Sequence, residues 1–265
     1  MPTVAHGESR FMTQADDVVL TLRRAGCVFA EDEAALLRDA ATTDLELQRL
    51  VARRVDGIPL EQILGWAEFC GLRIAVEPGV FVPRRRSELL VDLAVDFAVP
   101  GSVVVDMCCG SGAVGMAIGE AVVGAEVFAA DLDSAAVHCA RRNLPPDRVF
   151  EGDLFAALPR SLRGGVDILV ANAPYVPTHA IGLMPPEARL HEHRIALDGG
   201  PDGLDVQRRV VAEAGDWLGE RGHLVVETSE QQVLLTAQLF AEHGFASRIV
   251  RSVALDATAV VGVLL

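Results

Sequence analysis

From residue 100 onward, short aliphatic runs alternate with helical stretches, and run after run stops at an acid or an amide. Val103-Val104-Val105 ends at Asp106, and the segment 126–130 ends at Asp131. Residues 148–150 lead into Glu151-Gly152-Asp153, and the run 167–171, mostly aliphatic, ends at Asn172. Such short, largely apolar runs suit strands covered on both faces, as in a parallel sheet, better than amphipathic helices. The segments 113–122 and 134–143 read as helices between them. This alternation argues for an α/β domain with a parallel sheet. Helices over 206–217 and 231–243 and strands over 223–227, 246–250 and 258–264 bring the expected strands to seven.

Carboxylates at successive strand ends converge on one crevice of a doubly wound sheet. Asp131, closing the second strand, suits hydrogen bonds to ribose hydroxyls. The loop Cys108-Cys109-Gly110-Ser111-Gly112 joins the first strand to a helix, and its glycines permit a tight turn and a close ligand. Gly110-Ser111-Gly112 is read as lacking the full G-x-G-x-x-G spacing, which counts against a nicotinamide dinucleotide. A nucleoside without a phosphate chain fits better, and S-adenosylmethionine is the common cofactor of that kind. Its expected contacts are Asp106, Cys108, Gly110, Gly112, Asp131, Asp153 and Asn172.

The fourth strand delivers Asn172-Ala173-Pro174-Tyr175. Pro174 ends the ladder because it lacks an N–H. Tyr175, the only tyrosine, follows at the carboxyl end, where open α/β sheets bind ligands. The plain alternative is an ordinary strand-to-loop turn. With a methyl donor in the crevice, the tetrapeptide resembles the Asn-Pro-Pro-Tyr signature of methyltransferases acting on planar amino groups, either glutamine side chains or adenine.

Ahead of this domain, residues 13–55 are helical in character. Thr13 with Asp16 and Thr43 with Glu46 place a capping hydroxyl three residues before an acid. Apolar residues recur as Val18, Val19 and Leu22, then Ala35, Leu36 and Leu37, then Leu45, Leu47, Leu50 and Val51. Between the two parts, strands over 69–76 and 80–82 around Glu77-Pro78-Gly79 predict a hairpin linker. Ser87 is placed to cap a helix over 88–98. The expected domains are therefore 1–68, helical; 69–82, a β-hairpin linker; and 83–265, the α/β domain.

Composition narrows the partners. The net charge is -14 and lysine is absent, which counts against a protein living on nucleic-acid phosphates. Pro83-Arg84-Arg85-Arg86 is the densest positive cluster, read either as a solvated helix entry or as a face for an acidic partner or a nucleic acid. Five cysteines, without a C-x-x-C pair, read as reduced, mostly buried thiols. His191 and His193 lack the further ligands a metal site needs. Residues 1–10 lack a signal-peptide core, and no run is long enough to span a membrane. A cytoplasmic monomer is expected.

Several further stretches carry a specific resemblance: 57–65 (Gly-Ile-Pro-Leu-Glu-Gln-Ile-Leu-Gly), Glu68-Phe69-Cys70-Gly71-Leu72, Val82-Pro83-Arg84 with Glu88, and Ala196-Leu197-Asp198-Gly199-Gly200-Pro201-Asp202-Gly203-Leu204. With the tetrapeptide, they resemble the protein-(glutamine-N5) methyltransferases, the HemK/PrmC group, over about residues 45–245. The resemblance implies a Rossmann-like class I methyltransferase domain with a mainly parallel seven-stranded sheet. It also implies an amino-terminal helical domain that holds a protein substrate, for which a peptide-chain release factor is the candidate. Asn172, Ala173, Pro174 and Tyr175 would form the catalytic loop. Three departures stand out: Ala173 for the first proline, Cys108 for a loop glycine, and Arg85-Arg86-Ser87 in the stretch that usually carries Asp-Thr before the glutamate. Adenine-N6 methylation of DNA or RNA is the rival reaction, and a non-catalytic partner-binding protein on the same fold is the rival of another class.

Overall fold

A computed structural model describes residues 14–264. The expected cap at Thr13 lies outside the described residues. The chain divides into two units, Met1–Leu64 and Gly65–Leu265.

The first unit contains α1 (Gln14–Arg24), α2 (Ala30–Ala40), α3 (Asp44–Val55) and the short α4 (Leu60–Leu64). Thr43 caps α3, its hydroxyl accepting the Glu46 N–H at 3.1 Å. The core holds Leu22, Ala30, Ala34, Leu37, Leu47, Val51 and Ile63. On α2 the inward stripe is therefore Ala30, Ala34 and Leu37, one face at helical spacing. Ala35, expected with Leu37, is one position out of phase and exposed. Arg54 and Glu33 form a buried two-pronged ion pair, 2.6 and 3.2 Å.

The second unit opens with a hairpin of β1 (Trp66–Phe69) and β2 (Leu72–Ala75). This corrects the expected pairing across Glu77-Pro78-Gly79. A two-residue hairpin turn of type I′ needs left-handed backbone at both central positions, and Cys70 and Gly71 supply it with φ of 50° and 74°. Residues 80–82 form no strand.

After α5 (Glu88–Phe97) come β3 (Val103–Met107), α6 (Ala113–Ala121), β4 (Glu126–Asp131), α7 (Ser134–Ala140), β5 (Val149–Glu151) and β6 (Val166–Ala171). A short helix α8 (Pro186–His191) precedes α9 (Asp205–Trp217), β7 (Leu218–Thr228), α10 (Val233–Glu242), β8 (Phe245–Ser252) and β9 (Ala257–Leu264). The seven strands run β5-β4-β3-β6-β7-β9-β8. Ladders from β5 to β7 are parallel, and β9 is antiparallel to both its neighbours.

Strand residues alternate between two helical layers. Val104, Ile168, Val170 and Val225 pack under α5, α6 and α7. Val105, Leu169, Ala171 and Val226 pack under α9 and α10. Burial on both faces is why the strands read as continuous aliphatic runs. Strand order reverses at β3, with β4 on one side and β6 on the other, so the crevice at their carboxyl ends is where such sheets take ligands.

Candidate active site

The carboxyl ends of β3, β4 and β6 open into a cavity of about 240 Å³. Asp106, Cys108, Gly110, Asp131, Asp153, Asn172, Ala173, Pro174 and Tyr175 all line it; Gly112 does not. At φ 76° Gly112 begins α6, and a Cβ there would press on Leu144 and Ala140 at 3.0 and 3.2 Å. A left-handed turn and close packing require its glycine.

Asp106 is buried and accepts the Gly115 N–H at 2.9 Å, at the start of α6. Burial pushes its carboxyl up to about 7. Asp131 ties the loop: Oδ2 accepts the Gly110 N–H at 2.8 Å, and Oδ1 accepts the Asp133 N–H at 2.9 Å. Burial raises Asp131 as well. Each of these oxygens keeps a lone pair for a second donor. Asp153, after β5, is half exposed and pairs with Arg209 at 2.8 Å.

Cys108 occupies left-handed backbone with φ 57°, a strained setting for a residue with a Cβ. Burial holds the Cys108 and Cys109 thiols well above the ordinary thiol range. They are packed thiols, as expected, and poor nucleophiles.

Gly115 extends the loop to Gly110-x-Gly112-x-x-Gly115, the spacing of a dinucleotide fingerprint. Glycine spacing therefore does not decide the cofactor, which corrects the shorter reading. A Cβ on Gly115 would meet Asp106 at 3.2 Å, so this glycine serves close packing of α6 on β3. Two buried acids, Asp106 and Asp131, line the cavity and suit hydroxyl donors and positive charge. Leu132 and Leu154 add apolar walls beside them, suited to a flat nucleobase.

Across the reversal point, Asn172 follows β6 directly, and Met107 on β3 is registered against Ala171. Asn172 Nδ2 donates to Ser87 Oγ at 3.1 Å, leaving Oδ1 without a donor among the described residues. Ser87 thus corrects the expected helix cap: no side-chain cap bond forms. A turn of 3-10 helix over Arg85–Ser87 leads into α5 and turns the buried hydroxyl toward the site. The Tyr175 hydroxyl donates to Glu227 Oε1 at 3.3 Å and accepts from Arg86 at 3.4 Å. Burial, then the Glu227 charge, pushes Tyr175 up to about 12, so it stays a neutral phenol.

The arginine trio divides. Arg84 pairs with buried Glu192 at 2.5 Å, and Arg86 faces Tyr175 within the cavity. Arg85 is exposed. His193 pairs with Asp133, a partner that spacing alone did not indicate.

The Leu197–Leu204 stretch supports the tetrapeptide from behind. Val176 N–H donates to the Leu197 carbonyl at 3.0 Å, and Gly199 N–H to the Val176 carbonyl at 2.9 Å. Gln232 Nε2 donates to the carbonyls of Tyr175 and Asp202 at 2.9 and 2.8 Å. Gly203, with φ 78°, lies so close that a Cβ would overlap both the Tyr175 carbonyl and the Gln232 amide. Asp198 does not line the cavity, because Thr178 and Arg194 hold its carboxylate. Glu227, which ends the fifth expected strand, read as either a pocket residue or a satisfied strand-end carboxylate, and Gln232 carried no recognisable signal; β7 and α10 bring both to the loop only once the sheet forms.

Residues 71–188 match the family model described as Methyltransferase small domain. With this strand order and the strand-end acids, the fold and site define a Rossmann-like class I methyltransferase. A Pyrococcus furiosus methyltransferase structure shares the fold, with TM-score 0.55 and 17% identity over 73% of this chain and 89% of that one. Among curated proteins, a release factor glutamine methyltransferase of Geobacter sulfurreducens is 38% identical over 74% of this chain and 69% of its own length. One of Corynebacterium glutamicum is 34% identical over 86% of this chain and 88% of its own. The chain belongs to the release factor glutamine methyltransferase family.

Proposed function

We propose that this enzyme transfers the methyl group of S-adenosylmethionine to the side-chain amide nitrogen of a glutamine in a cytoplasmic protein, and that this protein is a peptide-chain release factor. The observation that carries this reading is the Asn172 amide at the cavity, its Nδ2 held by Ser87 and its Oδ1 without a donor among the described residues. The named activity of the relatives agrees with it.

Asp131 would hold the ribose hydroxyls of the cofactor, with Gly110 and Cys108 forming the loop beside it. Asp106 gains negative charge at the site as pH rises through about 7, and the half-exposed Asp153 lines it too. When bound, S-adenosylmethionine supplies a methyl group on a positively charged sulfur.

A carboxamide nitrogen is a weak nucleophile because its lone pair is delocalised into the carbonyl. Asn172 Oδ1 and the Ala173 backbone carbonyl accept its two hydrogens, which fixes the nitrogen and favours positive charge building on it. The carbonyl at position 173 survives the replacement of proline by alanine, and Pro174 still stiffens the next bond. Tyr175 packs on the planar amide as a neutral ring. Orientation of this kind lowers barriers by roughly 7–11 kcal/mol in favourable systems. No strong base is needed first, since the proton leaves once the nitrogen carries the methyl group. The helical unit, residues 1–64, is assigned to holding the protein substrate.

The test is transfer of labelled methyl from S-adenosylmethionine into a cell extract, followed by mass spectrometry. A labelled protein carrying methylglutamine is the expected product; labelled nucleic acid would overturn the proposal in favour of adenine methylation.

A further inference from the structure

Three arginines line the cavity: Arg84, Arg86 and Arg209. Arg84 is paired with Glu192, and Arg209 with Asp153. Arg86 forms no ion pair among the described residues, and its one hydrogen bond there is the long contact, 3.4 Å, from Nη1 to the Tyr175 hydroxyl. The 3-10 turn Arg85–Ser87 delivers it. Two successive side chains of that turn reach the two ends of the tetrapeptide, Ser87 meeting Asn172 and Arg86 meeting Tyr175. A guanidinium carries five N–H donors and no acceptor. Most of the Arg86 donors are therefore open to a group that enters beside Tyr175.

In the proposed reaction the entering group is a carboxamide. Asn172 and Ala173 take its two hydrogens and its plane lies on Tyr175, but its oxygen still lacks a donor. A carbonyl oxygen taken from water without a partner is costly. It is also the more nucleophilic end of a neutral amide, through lone pairs that lie in the amide plane, so a site that methylates nitrogen must keep that oxygen occupied. Among the polar side chains around the tetrapeptide, Tyr175 gives its hydroxyl hydrogen to Glu227, and Ser87 is buried against Asn172. Ser111 is buried in the loop between β3 and α6. Arg86 is the charged donor with hydrogens to spare. We infer that Arg86 is a substrate-binding residue that donates to the carbonyl oxygen of the acceptor amide, leaving the nitrogen end to meet the methyl group. This inference rests on the reading of the substrate as a glutamine amide held by Asn172 and Ala173.

The test is a binding cycle across enzyme and substrate. Calorimetry measures Kd of the native enzyme and of Arg86→Met for a purified peptide-chain release factor, whose target glutamine is first located by mass spectrometry of the methylated product. Arg86→Met keeps most of the side-chain length and removes every donor. With the natural glutamine, Arg86→Met should raise Kd for the protein roughly 10- to 150-fold, the range for a hydrogen bond to a charged group. With that glutamine changed to leucine, which has neither oxygen nor nitrogen, the same enzyme variant should move Kd by less than about twofold, because the interaction it removes is already gone. Kd for S-adenosylmethionine should stay within about twofold in Arg86→Met, which shows that fold and cofactor contacts are intact. Equal losses for the glutamine and leucine forms would mean that Arg86 only shapes the site, and would overturn the inference. Native affinity for the glutamine form in Arg86→Met, or a matching loss of cofactor affinity, would overturn it too. A methyl group found on nucleic acid would remove the glutamine reading and this inference with it. A methyl group on glutamine together with an additive cycle would remove the inference and leave that reading standing.

Discussion

Asp131→Asn separates cofactor binding from folding. Both carboxylate oxygens are committed to the loop, one to the Gly110 N–H at 2.8 Å and one to the Asp133 N–H at 2.9 Å. An asparagine has one oxygen, so its NH₂ must confront one of those N–H groups. The ribose hydroxyls lose a charged acceptor at the same time. A hydrogen bond to a charged group contributes about 1.5–3 kcal/mol, so Kd for S-adenosylmethionine should rise roughly 10- to 150-fold. Stability should move less. The native carboxylate is buried and its carboxyl raised by that burial, so removing the charge recovers desolvation energy that offsets the lost tether. Calorimetric titration gives the first quantity and thermal unfolding the second. An affinity within twofold of the native value would refute the ribose assignment. An affinity loss matched by collapse of the thermal transition would refute the separation.

Asp106, with its carboxyl at about 7, makes binding of a cationic cofactor pH-dependent: affinity should rise between about pH 6 and 8, with a proton released on binding. Titrations in two buffers of different ionisation enthalpy measure that proton, and none released would contradict the assignment. For folding of the cofactor-free chain the sign runs the other way. The folded value exceeds the ordinary 3.8, so this group's contribution is full below that pH and is lost as pH rises through about 7; Asp106→Asn should flatten the fall in denaturant titrations. Gly203→Ala forces a Cβ into the Tyr175 carbonyl at φ 78°, and should destabilise by about 1–3 kcal/mol while lowering kcat. A variant with native melting temperature and turnover would show that the loop does not brace the tetrapeptide.

What could be read from the sequence was what short-range chemistry determines. The aliphatic runs of β3, β4 and β6 were legible because burial on both faces removes polar interruptions, and Asp106, Asp131, Asp153 and Asn172 because each stops such a run. The hairpin was misplaced because Pro78-Gly79 is a louder turn signal than Cys70-Gly71, although only the latter pair supplies two left-handed residues in succession. Ser87 carried the chemistry of a cap, yet the 3-10 turn ahead of α5 aims it at Asn172. The segment 178–196, with α8 inside it, lacked periodicity long enough to read. Glu227 and Gln232 acquire their roles only when β7 and α10 bring them beside the loop after β6, and no local pattern encodes that meeting.

The central claim, that the Asn172 loop orients a glutamine amide for methylation, is tested most directly with purified components. Native enzyme and Asn172→Ala are each given S-adenosylmethionine and a purified peptide-chain release factor, and the product is sequenced by mass spectrometry. The account predicts one added methyl group on a glutamine side-chain nitrogen with the native enzyme. It predicts a loss of at least about 100-fold in kcat for Asn172→Ala, with Kd for the cofactor little changed by comparison. Equal methylation by the two enzymes, or a methyl group on any other atom, would contradict it.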